Sequence, residues 1–336
     1  MSIAVTGSVA VDHLATFPGL FTEQLVSGKL EQLSLSFLVD RLDVRHGGVA
    51  ANIAAGLARL GHRPLLVAAA GRDFGGYRAR LEETGVDTTT VLVCEDAYTA
   101  QFWCTTDQAQ NQIASFHPGA MTSAREIDLE RVLDRADPVE LVVVGPNDPD
   151  AMRRHTGQCR ELGVAFAADP SQQLALLGGE AIRQLVEGAR YLFTNEYEHA
   201  LLLQKTGWTD ADVRGRVDAW ITTLGAGGAR VEQAARRPVE VPAVPPAEVV
   251  DPTGAGDGFR AGFLAARSWG LPYAASARLG CAVATKVLES KGPAEYQLDE
   301  AELLARITET YGERAAAPLA EGLTASLAGR RPAAAL

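Results

Sequence analysis

The sequence predicts an α/β fold: an open, mostly parallel sheet with helices on both faces and a small β-sheet lid. Three observations carry that expectation. Short β-rich apolar runs alternate with segments of helical periodicity, the order expected of a parallel sheet built from strand–helix units. Two regions rich in extended residues interrupt the alternation and read as strands of a separate small sheet. With 336 residues, 47% of them hydrophobic, the chain can bury one large core and still carry an appendage.

Taken in chain order, the first strand is expected at 3–6, running into the turn Gly7-Ser8. Residues 9–46 carry extended segments such as 33–39, with polar interruptions. A helix is expected at 49–60, a strand at 65–70 and a helix at 73–84. The second insertion, about 97–117, holds hairpin strands at 99–105 and 112–116. Strands at 141–144, 164–168, 191–194 and 219–223 then alternate with helices at 149–162, 179–188 and 195–206. A hairpin over 230–241 and the proline-rich connector 242–246 lead to helices at 255–269, 272–289 and 299–311. Residues 1–312 are thus expected to form one α/β domain with the lid segments, about 9–46 and 97–117, inserted. The Ala-rich stretch 313–336, with Arg330-Arg331-Pro332 near its end, reads as a frayed helix or as disorder.

Composition excludes several classes of partner. A formal net charge of −11 without a basic stripe argues against a nucleic-acid polymer, whose binding depends on clustered Lys and Arg. Cys94, Cys104, Cys159 and Cys281 lack C-x-x-C spacing, which fits reduced thiols better than a disulfide frame or a zinc site. The start of the chain lacks the basic, long apolar pattern of a signal peptide, and no apolar run approaches the roughly 20 residues of a membrane span. A cytoplasmic protein is expected. The six histidines show no metal-ligand spacing.

The most informative stretch is Asp251-Pro252-Thr253-Gly254-Ala255-Gly256-Asp257-Gly258-Phe259. Helical periodicity begins just after it, so the glycines read as a tight turn whose amides become the first turn of a helix. Unpaired N–H groups and the positive end of the helix dipole favour a phosphate or a developing anion there. Asp257 beside such an anion suits a proton acceptor for an attacking hydroxyl. The plainer reading is a turn with Asp257 as a helix-capping residue. A second block, Gly47-Gly48-Val49-Ala50-Ala51-Asn52-Ile53-Ala54 and onward through Gly61 to Gly71, argues against that reading, because two such blocks rarely coincide.

Together, in order and separation, these two blocks resemble the signatures of the ribokinase, or PfkB, family of carbohydrate and nucleoside kinases. The resemblance covers about residues 1–312. More narrowly, the strings 33–40 (LSLSFLVD), 112–116 (QIASF) and 167–173 (AADPSQQ) are similar to actinobacterial adenosine kinases. The fold implied is ribokinase-like, and the reaction implied is ATP-dependent phosphorylation of the 5′-hydroxyl of adenosine. A sugar kinase acting on ribose or fructose is the alternative, and a non-catalytic nucleoside-binding relative a second.

The resemblance implies a site residue by residue. Asp257 would be the base, with the amides of Gly254, Ala255, Gly256 and Asp257 holding the charge of the transferred group. Ser8, Asp12, Gly48 and Asn52 fall on sugar-contacting positions; Asp12 and Asn52 also suit a turn and a helix start. Phe102 and Phe116, on lid strands, would stack on the purine, or else form lid core or a subunit contact. Ser36, on a lid strand, and Gln172 and Gln173, after a strand, are further substrate candidates that equally suit exposed positions. Asn195, Thr223, Leu224, Gly225, Ala226, Gly227 and Gly228 would hold ATP, and Glu198, in the N-x-x-E element, would organise Mg2+ through water. Spacing alone also allows Glu198 to pair with Lys205. K+ is carried as a candidate activator, and a homodimer through the lid as a candidate assembly. Two departures stand out: Gly258, where the family often has alanine, and Arg260, where apolar residues are common. Arg260 is expected to reach a phosphate or to face solvent.

Overall fold

The structure, a computed structural model, describes residues 2–24, 35–293 and 295–328. An eight-stranded sheet forms its centre, in the spatial order Val239–Val241, Ala229–Glu232, Ala219–Thr223, Tyr191–Asn195, Ala165–Ala168, Leu141–Val144, Ile3–Thr6, Leu65–Val67. The last six are parallel to one another, and the first two form the antiparallel hairpin at one edge.

Period-two alternation sorts the strand side chains into two cores. Ile3, Val5, Leu141, Val143, Ala167, Phe193 and Ile221 face one side, against Val49–Arg59, Ala255–Ser268, Tyr273–Leu288 and Glu300–Tyr311. Ala4, Val142, Val144, Phe166, Ala168, Leu192 and Trp220 face the other, against Pro149–Glu161, Gly179–Val186 and Glu196–Thr206. Both faces are covered, which is why these strands read as continuous apolar runs. Each fully buried Val or Leu contributes about 1.5–3 kcal/mol of burial free energy.

A second sheet joins Arg41–Gly47, Ala10–Thr16, Ala100–Thr106 and Gln112–His117 in that order, its middle pair parallel and its outer pairs antiparallel. It arises from the two insertions read in the sequence, although its first-insertion strands lie at 10–16 and 41–47. Residues 35–39 are irregular, with Phe37 packed against Phe17 and Phe21. Residues 33 and 34 lie outside the described residues.

The C-terminal segment is more ordered than its composition suggests. Glu313–Ala328 is a helix despite an internal Pro318, which forfeits one backbone hydrogen bond. Buried Leu319 and Leu323 offset that loss, Gly322 fits against the Trp269 ring, and Ser326 donates to the Leu60 carbonyl at 2.7 Å. Arg330-Arg331-Pro332 lies outside the described residues. Among the described residues no helix is long and apolar enough to cross a membrane, and Cys94, Cys104, Cys159 and Cys281 are free thiols.

Leu319 is fully buried, so Leu319→Ala should lower the unfolding free energy by about 2–5 kcal/mol. A urea titration reads this as a lower midpoint at unchanged slope. An unchanged midpoint would mean that the helix contributes nothing to the core.

Candidate active site

The parallel strands end together, and the loops leaving their carboxyl ends carry Ser8, Asn147, Asp169, Asn195 and Leu224. Brought against these loops is the N-terminus of Ala255–Ser268. Gly254 precedes that helix with φ 80°, a left-handed conformation that favours glycine, and a Cβ there would stand 2.3 Å from Pro293 Cβ. The Ala255 amide donates to the Pro252 carbonyl at 3.3 Å. The amides of Gly254, Gly256 and Asp257 meet no acceptor among the described residues, as the start of a helix requires. This leaves three free donors of the four expected, two at partly exposed glycines and the third at buried Asp257.

Asp257 stands at the third position of the helix and is 9% exposed. Its Oδ2 accepts from Asn52 Nδ2 at 2.8 Å, joining the two glycine-rich blocks across 205 residues of sequence. Burial pushes its carboxyl up to about 7; Arg260 and Asn52 oppose that shift, and Asp169 and Glu198 add to it. A carboxylate held near neutrality by desolvation is suited to accept and release a proton at working pH.

The small sheet supplies a second set of groups. In register across its four strands, Arg45, Asp12, Phe102 and Phe116 form one row on one face. Burial also raises Asp12, and the Tyr77 hydroxyl, which donates to the Gly47 carbonyl at 3.0 Å, feels both Asp12 and Asp257. The row thus abuts the glycine-rich helix start, and Arg45 closes the gap with an ion pair to Asp251. Phe116 is 51% exposed and Phe102 half-buried, so flat apolar surface remains open beside Asp12.

Several sequence candidates have structural tasks of their own. Ser8 Oγ accepts from the Val49 amide at 3.1 Å, capping the helix Val49–Arg59. Gly48, at φ 97°, is required because a Cβ would stand 2.6 Å from the Ser8 carbonyl oxygen and from Val9 Cα. Ser36 is exposed in the irregular segment, not on a strand as the sequence suggested. Gln172 is exposed, whereas Gln173 is buried and donates to the Asn147 carbonyl at 2.8 Å.

On the other side, Asn195 and Thr223 are register partners on adjacent strands. They bring the element N-x-x-E beside the exposed Gly225–Gly227 turn, which connects Ala219–Thr223 to Ala229–Glu232; Leu224 and Ala226 lie in the same turn and Gly228 closes it at φ 93°. Glu198 does not pair with Lys205, whose ammonium donates to the carbonyls of Ala175 and Leu177. Instead Asn195 and Glu198 form a reciprocal capping box, each accepting the other's amide at 2.8 Å. That S/T/D/N-x-x-E signature was in the sequence and went unread.

Arg260 neither faces solvent nor lies free for a phosphate: it is 6% exposed and paired with fully buried Asp169 at 2.5 Å. Its spacing of three residues from Asp257 was the signal that could have revealed it. Concavity alone would mislead here. A cleft of about 1190 Å3 lined by Ser2, Ile3, Leu65 and Val139 lies at the amino ends of the strands and contains none of these groups.

The profile of the pfkB family carbohydrate kinases matches residues 5–300. A nucleoside kinase of Methanocaldococcus jannaschii is 30% identical over 249 residues, 74% of this chain and 80% of that protein. The nucleoside kinase of Burkholderia thailandensis, solved in complex with inosine, superposes with a TM-score of 0.81 at 35% identity, covering 93% of this chain and 98% of the other. The same kinase in complex with ADP-inosine gives 0.79, at 35% identity, over 93% and 96% of the two chains.

The elevated Asp257 carboxyl has a consequence for stability. Because the folded-state value lies above the unfolded 3.8, the native protein holds this proton more tightly. The resulting stabilisation is complete below about pH 4 and is lost as pH rises through about 7. Asp257→Asn removes that dependence: its unfolding free energy should exceed the parent's at pH 8, by up to about 4 kcal/mol, and not at pH 4. Chemical denaturation at both pH values reads the difference; an equal effect at both would exclude a buried charge as its cause.

Proposed function

Since the chain belongs to the pfkB family of carbohydrate kinases, we propose that it transfers the γ-phosphoryl group of ATP to the 5′-hydroxyl of a nucleoside. Adenosine is the preferred acceptor in this reading, giving AMP and ADP in purine salvage in the cytoplasm. One observation carries the reading: a buried carboxylate near neutrality, Asp257, sits among the free amides of a glycine-initiated helix start. The nucleoside assignment is supported by the Asp12–Phe102–Phe116 row on the small sheet and by the likeness to nucleoside kinases.

In the proposed step the 5′-oxygen attacks the γ-phosphorus while its proton passes to Asp257. The bond from that phosphorus to the bridging oxygen breaks, and ADP leaves with the electron pair. The amides of Gly254, Gly256 and Asp257 hold charge on the transferred oxygens, and loss of one such donor typically costs about 3 kcal/mol of activation free energy. The Ala255 amide, engaged with Pro252, is assigned a lesser part. Asn52 aims the base. Asp12 accepts hydrogen bonds from the sugar hydroxyls, the Ser8 hydroxyl keeps its proton for donation to the same sugar, and Gly48 forms the floor beside them. Phe102 and Phe116 stack on the base, with Ser36, Gln172 and Gln173 at its edge.

ATP would lie along Thr223–Gly228 beside Asn195. The donor set fits magnesium carried in by the phosphates: Glu198 is a buried carboxylate close enough to act on Asp257, suited to hold a metal-bound water. When bound, the ion neutralises phosphate charge. K+ is a further additive to vary in the same assay.

The outer face of the small sheet is proposed as the contact between two copies of the chain. Leu42 and Ile113 lie in one cross-strand row and Val44 and Trp103 in the next; their exposures are 58%, 46%, 56% and 42%. A self-complementary apolar patch of this kind suits a two-fold pairing. Trp103→Lys should shift the sedimenting species from dimer to monomer; a monomeric parent would overturn the assignment.

ADP release with a panel of nucleosides and free sugars tests the activity. Adenosine should saturate at far lower concentration than ribose. Base stacking is worth about 1–3 kcal/mol, so Phe102→Ala should raise the adenosine KM about 5- to 100-fold and leave ribose use nearly unchanged. Asp257→Asn should lower kcat by about 10²–10⁴ with substrate binding retained. Faster turnover of ribose or fructose would make the protein a sugar kinase, and no ADP release with any acceptor would make it a binding relative.

A further inference from the structure

Beneath the first turn of Ala255–Ser268 lies an ion pair for which the phosphoryl-transfer scheme has so far found no task. Arg260 Nη2 donates to Asp169 Oδ1 at 2.5 Å, with the two side chains 7% and 0% exposed. Arg260 follows Asp257 by three residues, so both project from one face of the helix. Its Nη1 lies 2.8 Å from where a Cβ on Gly256 would stand, directly under the free amides, and its guanidinium carbon is 5.6 Å from the Phe193 ring centroid. Asp169 directly follows the strand Ala165–Ala168, so the pair ties the glycine-initiated helix to the loop that carries Gln172 and Gln173.

The pair is a poor device for stability alone. Arg260 Nε and Asp169 Oδ2 are both buried without a partner. Two charges taken out of water and incompletely bonded rarely repay their desolvation, and well-packed apolar residues often serve as well or better. The surroundings give the charge another task. Asp257 on the same helix, Asp169 from the strand end and Glu198 from Glu196–Thr206 all act on Arg260. The hydroxyls of Tyr77 and Tyr296 also feel Asp257, with Arg59 over the Tyr296 ring. Arg260 is therefore the cation set among three carboxylates, at a place where a nucleoside triphosphate adds further negative charge.

We propose that Arg260, clamped by Asp169, is a positioning residue for phosphoryl transfer: it supplies the fixed countercharge beneath the helix start against which Asp257 faces the attacking hydroxyl. The inference rests on the reading of Asp257 as the proton acceptor. Without the guanidinium, Asp257 stands opposite Glu198 and Asp169 with its largest opposing charge removed, and it retains its proton to higher pH.

The test compares pH profiles of kcat/KM, together with KM for each substrate, for the parent, Arg260→Lys and the apolar exchange Arg260→Met/Asp169→Leu. The double variant should fold, because the whole pair is replaced, yet its acid limb should move upward, since Arg260 acts on Asp257 more strongly than Asp169, whose removal offsets only part of the shift. At pH 7 its kcat should fall about tenfold or more, with the nucleoside KM within about threefold of the parent. Arg260→Lys, which keeps the charge, should return the limb close to its original position. A folded double variant with the parent's limb and kcat would overturn the proposal. Should the double variant fail to fold, Arg260→Gln replaces it, and coincident acid limbs in Arg260→Gln and Arg260→Lys overturn it equally. Asp257→Asn, run alongside, separates the two readings. If that variant turns over at the parent's rate, the base assignment itself fails; if it is inactive while the Arg260 variants match the parent, only the positioning role fails.

Discussion

The hydrogen bond between Asn52 and Asp257 exists because two helices from opposite ends of the sequence approach unusually closely. A Cβ on Gly56 would stand 2.5 Å from Ala261 Cβ, so Val49–Arg59 and Ala255–Ser268 touch almost backbone to backbone one turn beyond the bond. On its other flank, Gly262 of the second helix lies where a Cβ would meet the Leu279 carbonyl at 2.7 Å. Gly258 does the same against Val287, where a Cβ would stand 2.7 Å from Cγ2, which accounts for the glycine there. The helix that presents the free amides is therefore fixed from both sides. A larger residue at any of these contacts would tilt it and carry Asp257 away from Asn52.

That fixation is what makes a buried carboxylate tolerable. Moving an ionised carboxyl out of water is costly, and proteins usually neutralise it or pair it. Here the group is neither fully paired nor fully neutral: Asn52 contributes one hydrogen bond, Arg260 an opposing charge, and desolvation outweighs both. The outcome is a proton affinity near neutrality, obtained by giving up folding free energy above that pH. Arg260 and Asp169, each short of one hydrogen bond, belong to the same exchange of stability for electrostatic arrangement.

How far the sequence could be read depended on how local the governing interaction was. Strands of the main sheet announced themselves because burial on both faces makes them continuously apolar, and the two glycine-rich blocks announced close approach. The strand Arg41–Gly47 escaped because its pattern is inverted: Arg41, Asp43 and Arg45 take the face shared with Asp12, and Leu42 and Val44 face outward. Residues 33–39 alternate more conventionally, yet 35–39 form no strand, since the Phe17–Phe21–Phe37 cluster holds the segment instead. Ser8 capping a helix 41 residues downstream, and Arg260 meeting an acid 91 residues upstream, are long-range contacts that no window of sequence displays. Glu198 is the opposite case, a local capping signature overlooked in favour of a more distant purpose.

The position of the site follows from the topology of the sheet. Parallel strands deliver their loops to one end, so side chains far apart in sequence, from Ser8 to Leu224, meet there with no chain having to cross the core. The amino ends carry a wide cleft, lined by turns such as 62–64 and 137–139 and by the short helix Leu129–Leu133, whose Leu129 amide is taken by the Gln158 side chain. Among the described residues, free amides at a glycine-initiated helix start and a desolvated acid occur together at the carboxyl ends and not in that cleft. Insertion of the small sheet after the first strand and after the strand Leu92–Cys94, which runs parallel to Ala69–Gly71, uses the same asymmetry. Both insertions leave toward the carboxyl end, so that Asp12 and Arg45 reach the helix start while the outward row keeps its apolar side chains in solvent.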